Sequence, residues 1–176
     1  MRILLLSLLI FSTPFVSFSQ DWWTKTRKEA VPEDLTSTTL LVEKFKTLKL
    51  DDAPPQAFMD KDKRTEHPLI KKTNDKLEDY NAELKAHFKN YKYEYKAVSK
   101  KSAESLEKYP LSMAKYTLKH EVYLRKYQKD GVTRHYYTYL FYFYDREKDK
   151  SFPYIYLFDE KRLESVKVLI GYLNTL

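Results

Sequence analysis

The chain has 176 residues, with 32 Lys and Arg against 25 Asp and Glu, a net charge of +7, and no Cys. Without Cys there can be no disulfide, thiolate metal site, Cys nucleophile or lipid-modified Cys. The only glycines are Gly131 and Gly171, so the clustered glycines of phosphate-cradling loops, dinucleotide fingerprints and nucleophile elbows are absent.

The first nineteen residues have the layout of a secretory leader. Met1-Arg2 is a short basic start, Ile3 to Phe11 is apolar apart from Ser7, and Ser17-Phe18-Ser19 offers small residues for cleavage. The apolar run is about half the ~20 residues a membrane span requires. The expectation is therefore a signal peptide over residues 1–19, with cleavage before Gln20. The mature chain, residues 20–176, is then one exported domain, periplasmic or secreted, and not an integral membrane protein. A basic exported protein favours anionic partners such as phospholipid, lipopolysaccharide or acidic glycan. The charges are interspersed rather than blocked, however, and ordinary solubilising charge is the simpler reading.

Asp21-Trp22-Trp23 opens the mature chain. Adjacent Trp near a terminus either hook onto another protein or pack back over an open end of the sheet. Leu40 to Phe45, apolar and bounded by Thr and Lys, reads as a first strand. Residues 47–68, with Pro54-Pro55 and a dense charge run, read as a surface loop. From Leu69 to Lys89 the apolar positions Ile70, Leu77, Tyr80, Leu84 and Phe88 keep helical spacing, predicting one amphipathic helix. The period then becomes two: Tyr91, Tyr93 and Tyr95 alternate with charges, predicting a strand over 91–96. Lys100 to Lys108 reads as a short helix ended by Tyr109-Pro110.

A strand over 114–127 follows, then Asp130-Gly131, a dipeptide suited to the positive φ of a tight hairpin. Residues 135–145, "HYYTYLFYFYD", form the next strand, and 146–150 the next reversal. Phe152 to Phe158 reads as the last strand, and Val166, Leu169, Ile170, Leu173 and Leu176 mark the stripe of a closing helix. The fold expected is α+β: one mixed, mainly antiparallel sheet of about five strands, built as strand–helix–strand and then a three-stranded meander, with amphipathic helices packed on it.

The aromatic strand is the most informative stretch. Tyr137, Tyr139, Phe141 and Phe143 lie on one side, and Tyr136, Leu140, Tyr142 and Tyr144 on the other. A strand apolar on both sides belongs in the middle of a sheet covered on both faces. The alternative is an exposed aromatic face of the kind that binds carbohydrate or peptide, and the intermediate case has one core side and one groove side. The candidate binding residues are therefore Tyr137, Tyr139, Phe141, Phe143, Trp22 and Trp23.

No catalytic set emerges. His120-Glu121 begins like a zinc-protease motif, but Leu124 holds the second His position and the segment is a strand. His120 is expected half-buried in the sheet. Asp60, Asp62 and Glu66 have a loosely calcium-loop spacing, broken by Arg64 and lacking the Gly of the sharp turn. Asp145 and Asp159 stand at ends of neighbouring strands, where carboxylates usually serve turns. Ser102, Ser105 and Ser112 have no recognisable base. No metal or cofactor is expected, and the aromatic–basic alternation of "NYKYEYKAV" lacks the Gly of an RNA-binding signature, so no nucleic-acid partner is expected either.

The leader ending "SFSQ", the "TLLVEKF" strand, "NYKYEYKAVS" and "YFYDREKDKSFPYIYLFDE" running into a helix resemble small uncharacterised exported proteins of the Bacteroidota. More distantly, the element order resembles the anticodon-binding-like domain of envelope accessory proteins. The resemblance implies a binding role and transfers no site residues. The expected function is that of an exported, non-enzymatic accessory protein binding another envelope protein or an anionic envelope polymer. A small-ligand or glycan-binding domain using the aromatic face is the alternative, and a hydrolase the third.

Overall fold

A computed structural model describes residues 28–49, 68–155 and 163–176; for 68–69, 123–127, 129, 133–138 and 164–165 it describes the backbone only. The leader, Trp22, Trp23, Asp60, Asp62, Glu66 and Asp159 lie outside the described residues. A short helical turn at 28–30 and a 3-10 turn at Leu35–Ser37 lead into β1, Leu40–Glu43. Then come α1 (Pro68–Asn74), α2 (Leu77–Phe88), β2 (Tyr95–Val98), α3 (Lys100–Ala103), β3 (Tyr116–Lys129), β4 (Val132–Asp145), β5 (Lys150–Ser151) and α4 (Glu164–Leu173). The architecture is the α+β arrangement expected. The strands form one mixed sheet in the order β2-β1-β3-β4-β5, with β1 parallel to β2 and β3 and the meander β3-β4-β5 antiparallel.

One face carries the main core. Leu40 and Val42 of β1, Tyr116 and Leu118 of β3, and Phe141 and Phe143 of β4 meet Leu84 and Phe88 of α2 and Val166, Leu169, Ile170 and Leu173 of α4. The apolar stripes of both helices therefore do what their spacing predicts, except that Leu176 lies past the helix end and is exposed. A smaller cluster of Leu41, Val98, Ala103 and Ala114 covers the opposite face at one end. Arg146 anchors that cover: its guanidinium donates to the carbonyls of Ala114, Ser105 (3.3 Å) and Tyr109 (2.8 Å). Among the described residues no helix is long and apolar enough to cross a membrane.

The hairpin turn is as read: Lys129 pairs with Val132, and Asp130 and Gly131 take φ of 54° and 73°. Several boundaries differ from expectation: β1 ends at Glu43 instead of Phe45, β3 covers 116–129 instead of 114–127, and β4 starts at Val132 instead of His135. The 69–89 helix is broken at 75–76, where Asn74 turns its amide to the backbone of Leu48. β2 begins at Tyr95 rather than Tyr91, because its ladder is only as long as its four-residue partner β1. Tyr91 and Tyr93 still point inward, with Tyr91 set edge-on to Phe88 at 5.8 Å. The 100–108 helix shrinks to α3, the rest of that segment forming turns held by Arg146.

The last strand is also interrupted. Tyr144 pairs with Ser151 and Phe141 with Ile155, so two residues of β4 face three of the returning chain. That is a β-bulge, and it sits where Pro153 has no N–H to donate. The bulge lets both half-buried Phe152 and fully buried Ile155 turn to the main core, which strict alternation would forbid. Residues 156–158 lie outside the described residues.

Candidate functional site

The aromatic strand resolves into the intermediate case. Phe141 and Phe143 are 2% and 0% exposed and belong to the core, so these two rings pack the sheet and offer no contact surface. Leu140, Tyr142 and Tyr144 on the other side are half-buried. The expected double cover fails there because, among the described residues, that face carries only the small cluster of Leu41, Val98, Ala103 and Ala114. Charged neighbours blanket this side: Lys119 Nζ stands 3.5 Å from the centre of the Tyr144 ring. Tyr154 packs edge-on to Tyr142 at 5.5 Å and donates to Glu121 Oε2 at 2.6 Å. The side chain of Tyr137 lies outside the described residues. Of the six candidate residues, Tyr139 is the one seen to border a cavity.

Two cavities flank the extended segment that follows β1. Its path is set by a pair of asparagines. Phe45 N–H donates to Asn81 Oδ1 (2.9 Å) and its carbonyl accepts from Asn81 Nδ2 (3.1 Å). Asn74 treats Leu48 in the same way, at 2.8 and 3.1 Å. Each amide thus stands in for a neighbouring strand. Sequence reading missed this: Asn74 ends α1 and Asn81 lies in α2, and no local period links either to the segment after β1.

The first cavity, about 630 Å³, lies between α2 and the β1–β2 side of the sheet. Ala82, Tyr95 and Ala97 line it over the buried Val42, Leu84 and Phe88, and Lys44, Lys85, Glu78 and Asn81 supply polar groups. β2 is an edge strand. Leu40 and Lys44 N–H donate to the carbonyls of Glu94 and Val98, so the even-numbered residues of β2 face β1. The N–H and C=O of Tyr95 and Ala97 therefore point outward, and among the described residues nothing pairs with them.

The second cavity, about 250 Å³, opens at the carboxyl end of β1. Glu43, Lys46, Lys100, His120, Glu121 and Tyr139 border it, with Leu48 and Val122 as apolar wall. Phe45 packs on both rings, 4.5 Å from His120 and 4.4 Å from Tyr139. His120 Nδ1 and Tyr139 Oη are shut off from solvent and, among the described residues, have no hydrogen-bond partner. Burial, helped by Lys46 and Lys100, pushes His120 down to about 4. Glu43 is 5% exposed, and burial raises its carboxyl above the usual range.

Asp145 is occupied structurally. Its Oδ1 accepts from the backbone N–H groups of Glu147 and Lys148, each at 3.0 Å, closing the β4–β5 turn. Among the described residues no cluster of three His, Cys, Asp or Glu could hold a metal ion. No family model, curated protein or solved structure matches the chain.

Proposed function

We propose that this is an exported accessory protein of the bacterial envelope, without enzymatic activity, that binds another envelope protein through an extended segment of that partner. The segment adds as a strand to β2, and its side chains enter the apolar groove under α2. The observation that carries this reading is the open edge of Tyr95 and Ala97 beside a 630 Å³ groove. Backbone pairing supplies affinity in such a mode, and pockets for alternate side chains supply selectivity. The groove has the volume of a ligand site, and its lining mixes apolar with polar groups. Its rim holds two lysines against one glutamate, which favours an apolar segment carrying an acidic residue. Export rests on the leader-like residues 1–19.

Ala97→Pro tests the docking mode. Its outward N–H makes no ladder bond, so proline removes a donor from the edge and leaves the β1 pairing intact. Tagged wild-type protein incubated with its native envelope fraction should capture a partner that Ala97→Pro, and separately Ala82→Trp, fail to hold. Equal capture by folded Ala97→Pro would refute strand addition. Capture of acidic glycan or lipopolysaccharide instead of protein would favour the envelope-polymer reading.

A further inference from the structure

We infer that the partner strand added to β2 carries an acidic residue between two apolar ones, the acid standing opposite Lys96 on the face away from α2. Such selection presupposes that the partner pairs with β2 as a strand. Along β2 the side chains alternate between faces. Tyr95 and Ala97 line the groove under α2, so Lys96 between them lies on the other face. Leu40 and Lys44 already take the carbonyls of Glu94 and Val98, which leaves the N–H and C=O of Tyr95 and Ala97 open. A segment that uses both open residues sets three consecutive residues against Tyr95, Lys96 and Ala97. Whichever way the added chain runs, residues directly opposite share a face. The outer two meet Tyr95 and Ala97 at the mouth of the groove, and the middle one meets Lys96.

Lys96 decides what the middle residue is. It is half-buried, and among the described residues no carboxylate lies within ion-pair distance of it. Its Nζ rests 4.0 Å from Met113 Sδ and 5.9 Å from the centre of the Tyr109 ring. Those neighbours position the ammonium without neutralising its charge. Opposite charges facing each other across neighbouring strands stabilise the pairing, and like charges weaken it. The same physics turns away a second copy of this chain. The open groups of two β2 edges all pair only in the antiparallel register that joins Tyr95 to Ala97 twice, and that register sets Lys96 against Lys96. An edge lysine commonly guards a sheet against such self-pairing; here it also admits a strand of opposite charge. The net charge of +7 acts in the same sense.

The test uses three end-blocked peptides, Ser-Thr-Val-Glu-Val-Thr-Ser and its forms with Gln or Lys at the centre. Each is titrated into the protein by NMR and read on the backbone amides of Tyr95 and Ala97. The Glu peptide should bind about two- to fivefold tighter than the Gln peptide, and the Lys peptide weakest, with the differences shrinking as salt rises. In Lys96→Glu the order should invert, and in Lys96→Gln it should flatten; neither substitution removes a backbone bond. The same order in Lys96→Glu as in the wild type overturns the inference. So does the absence of a shift with every peptide, or a protein that pairs with itself through β2 in their place. Ala97→Pro, read on Tyr95, separates the two levels. Loss of binding there, together with an order indifferent to Lys96, keeps strand addition and refutes the acidic requirement. Undiminished binding by Ala97→Pro refutes strand addition itself.

Discussion

At residue 141 the two sides of one strand part company. Phe141 points into the core between α-helical and sheet layers, while the neighbouring Leu140 sits half-buried among charged side chains. Phe141→Ala should therefore cost about 3–5 kcal/mol, the loss expected for a large aromatic whose cavity cannot collapse. Leu140→Ala should cost clearly less, since part of its surface is already wet. Chemical denaturation of the two variants checks the pair; equal losses would mean that the second face is buried as deeply as the first. The burial of Tyr136 and Tyr137 does not enter, because their side chains lie outside the described residues.

Among the elements, the segment after β1 depends on side chains for its ladder. Asn81 satisfies both backbone groups of Phe45, and among the described residues no strand stands behind it to take over. Asn81→Ala should leave a partly buried N–H and C=O unpaired and cost about 1–3 kcal/mol. Hydrogen exchange should show faster exchange at Phe45 with little change in the β3–β4 hairpin. An unchanged Phe45 rate would mean that packing of its ring alone holds the segment. Because Lys44 borders one cavity and Lys46 and Leu48 the other, the same substitution should loosen both cavities together.

For the whole molecule, the buried His120 writes itself into the pH dependence of stability. An unfolded His takes a proton near 6.5, whereas in the fold burial holds His120 down to about 4. Between those values the unfolded chain binds more protons, so stability falls as pH drops from about 6.5 towards 4 and then levels off. The shift is worth up to about 3 kcal/mol. Lys46 and Lys100 reinforce it, while Glu43 acts oppositely: its raised carboxyl keeps a proton longer in the fold, so its contribution weakens as pH rises through the carboxylate range. Glu121 shares the cavity wall. Urea midpoints measured across this window should slope for the wild type and flatten for His120→Gln. A variant with the same slope would assign the effect to other groups.

Local physics settled a good deal before any folding. The Asp130-Gly131 turn was legible because positive φ is a demand on single residues. The Leu84–Phe88 and Val166–Leu173 stripes were legible because a helix buries residues three and four apart. The order of strands and helices followed from where the period switched between two and 3.6. Tertiary structure decided everything that depends on a partner's length or place. β2 starts at Tyr95 because β1 is four residues long, and the aromatic strand is fully covered on one face only because α2 and α4 both pack on that side. The bulge at Pro153 turned Ile155 inward where alternation alone had no means to place it. Both cavities join residues distant in the chain, Glu43 with Lys100, His120 and Tyr139, or Val42 with Lys85 and Ala97. No local period encodes such meetings: they arise only when the parallel strands align and the helices settle on the sheet.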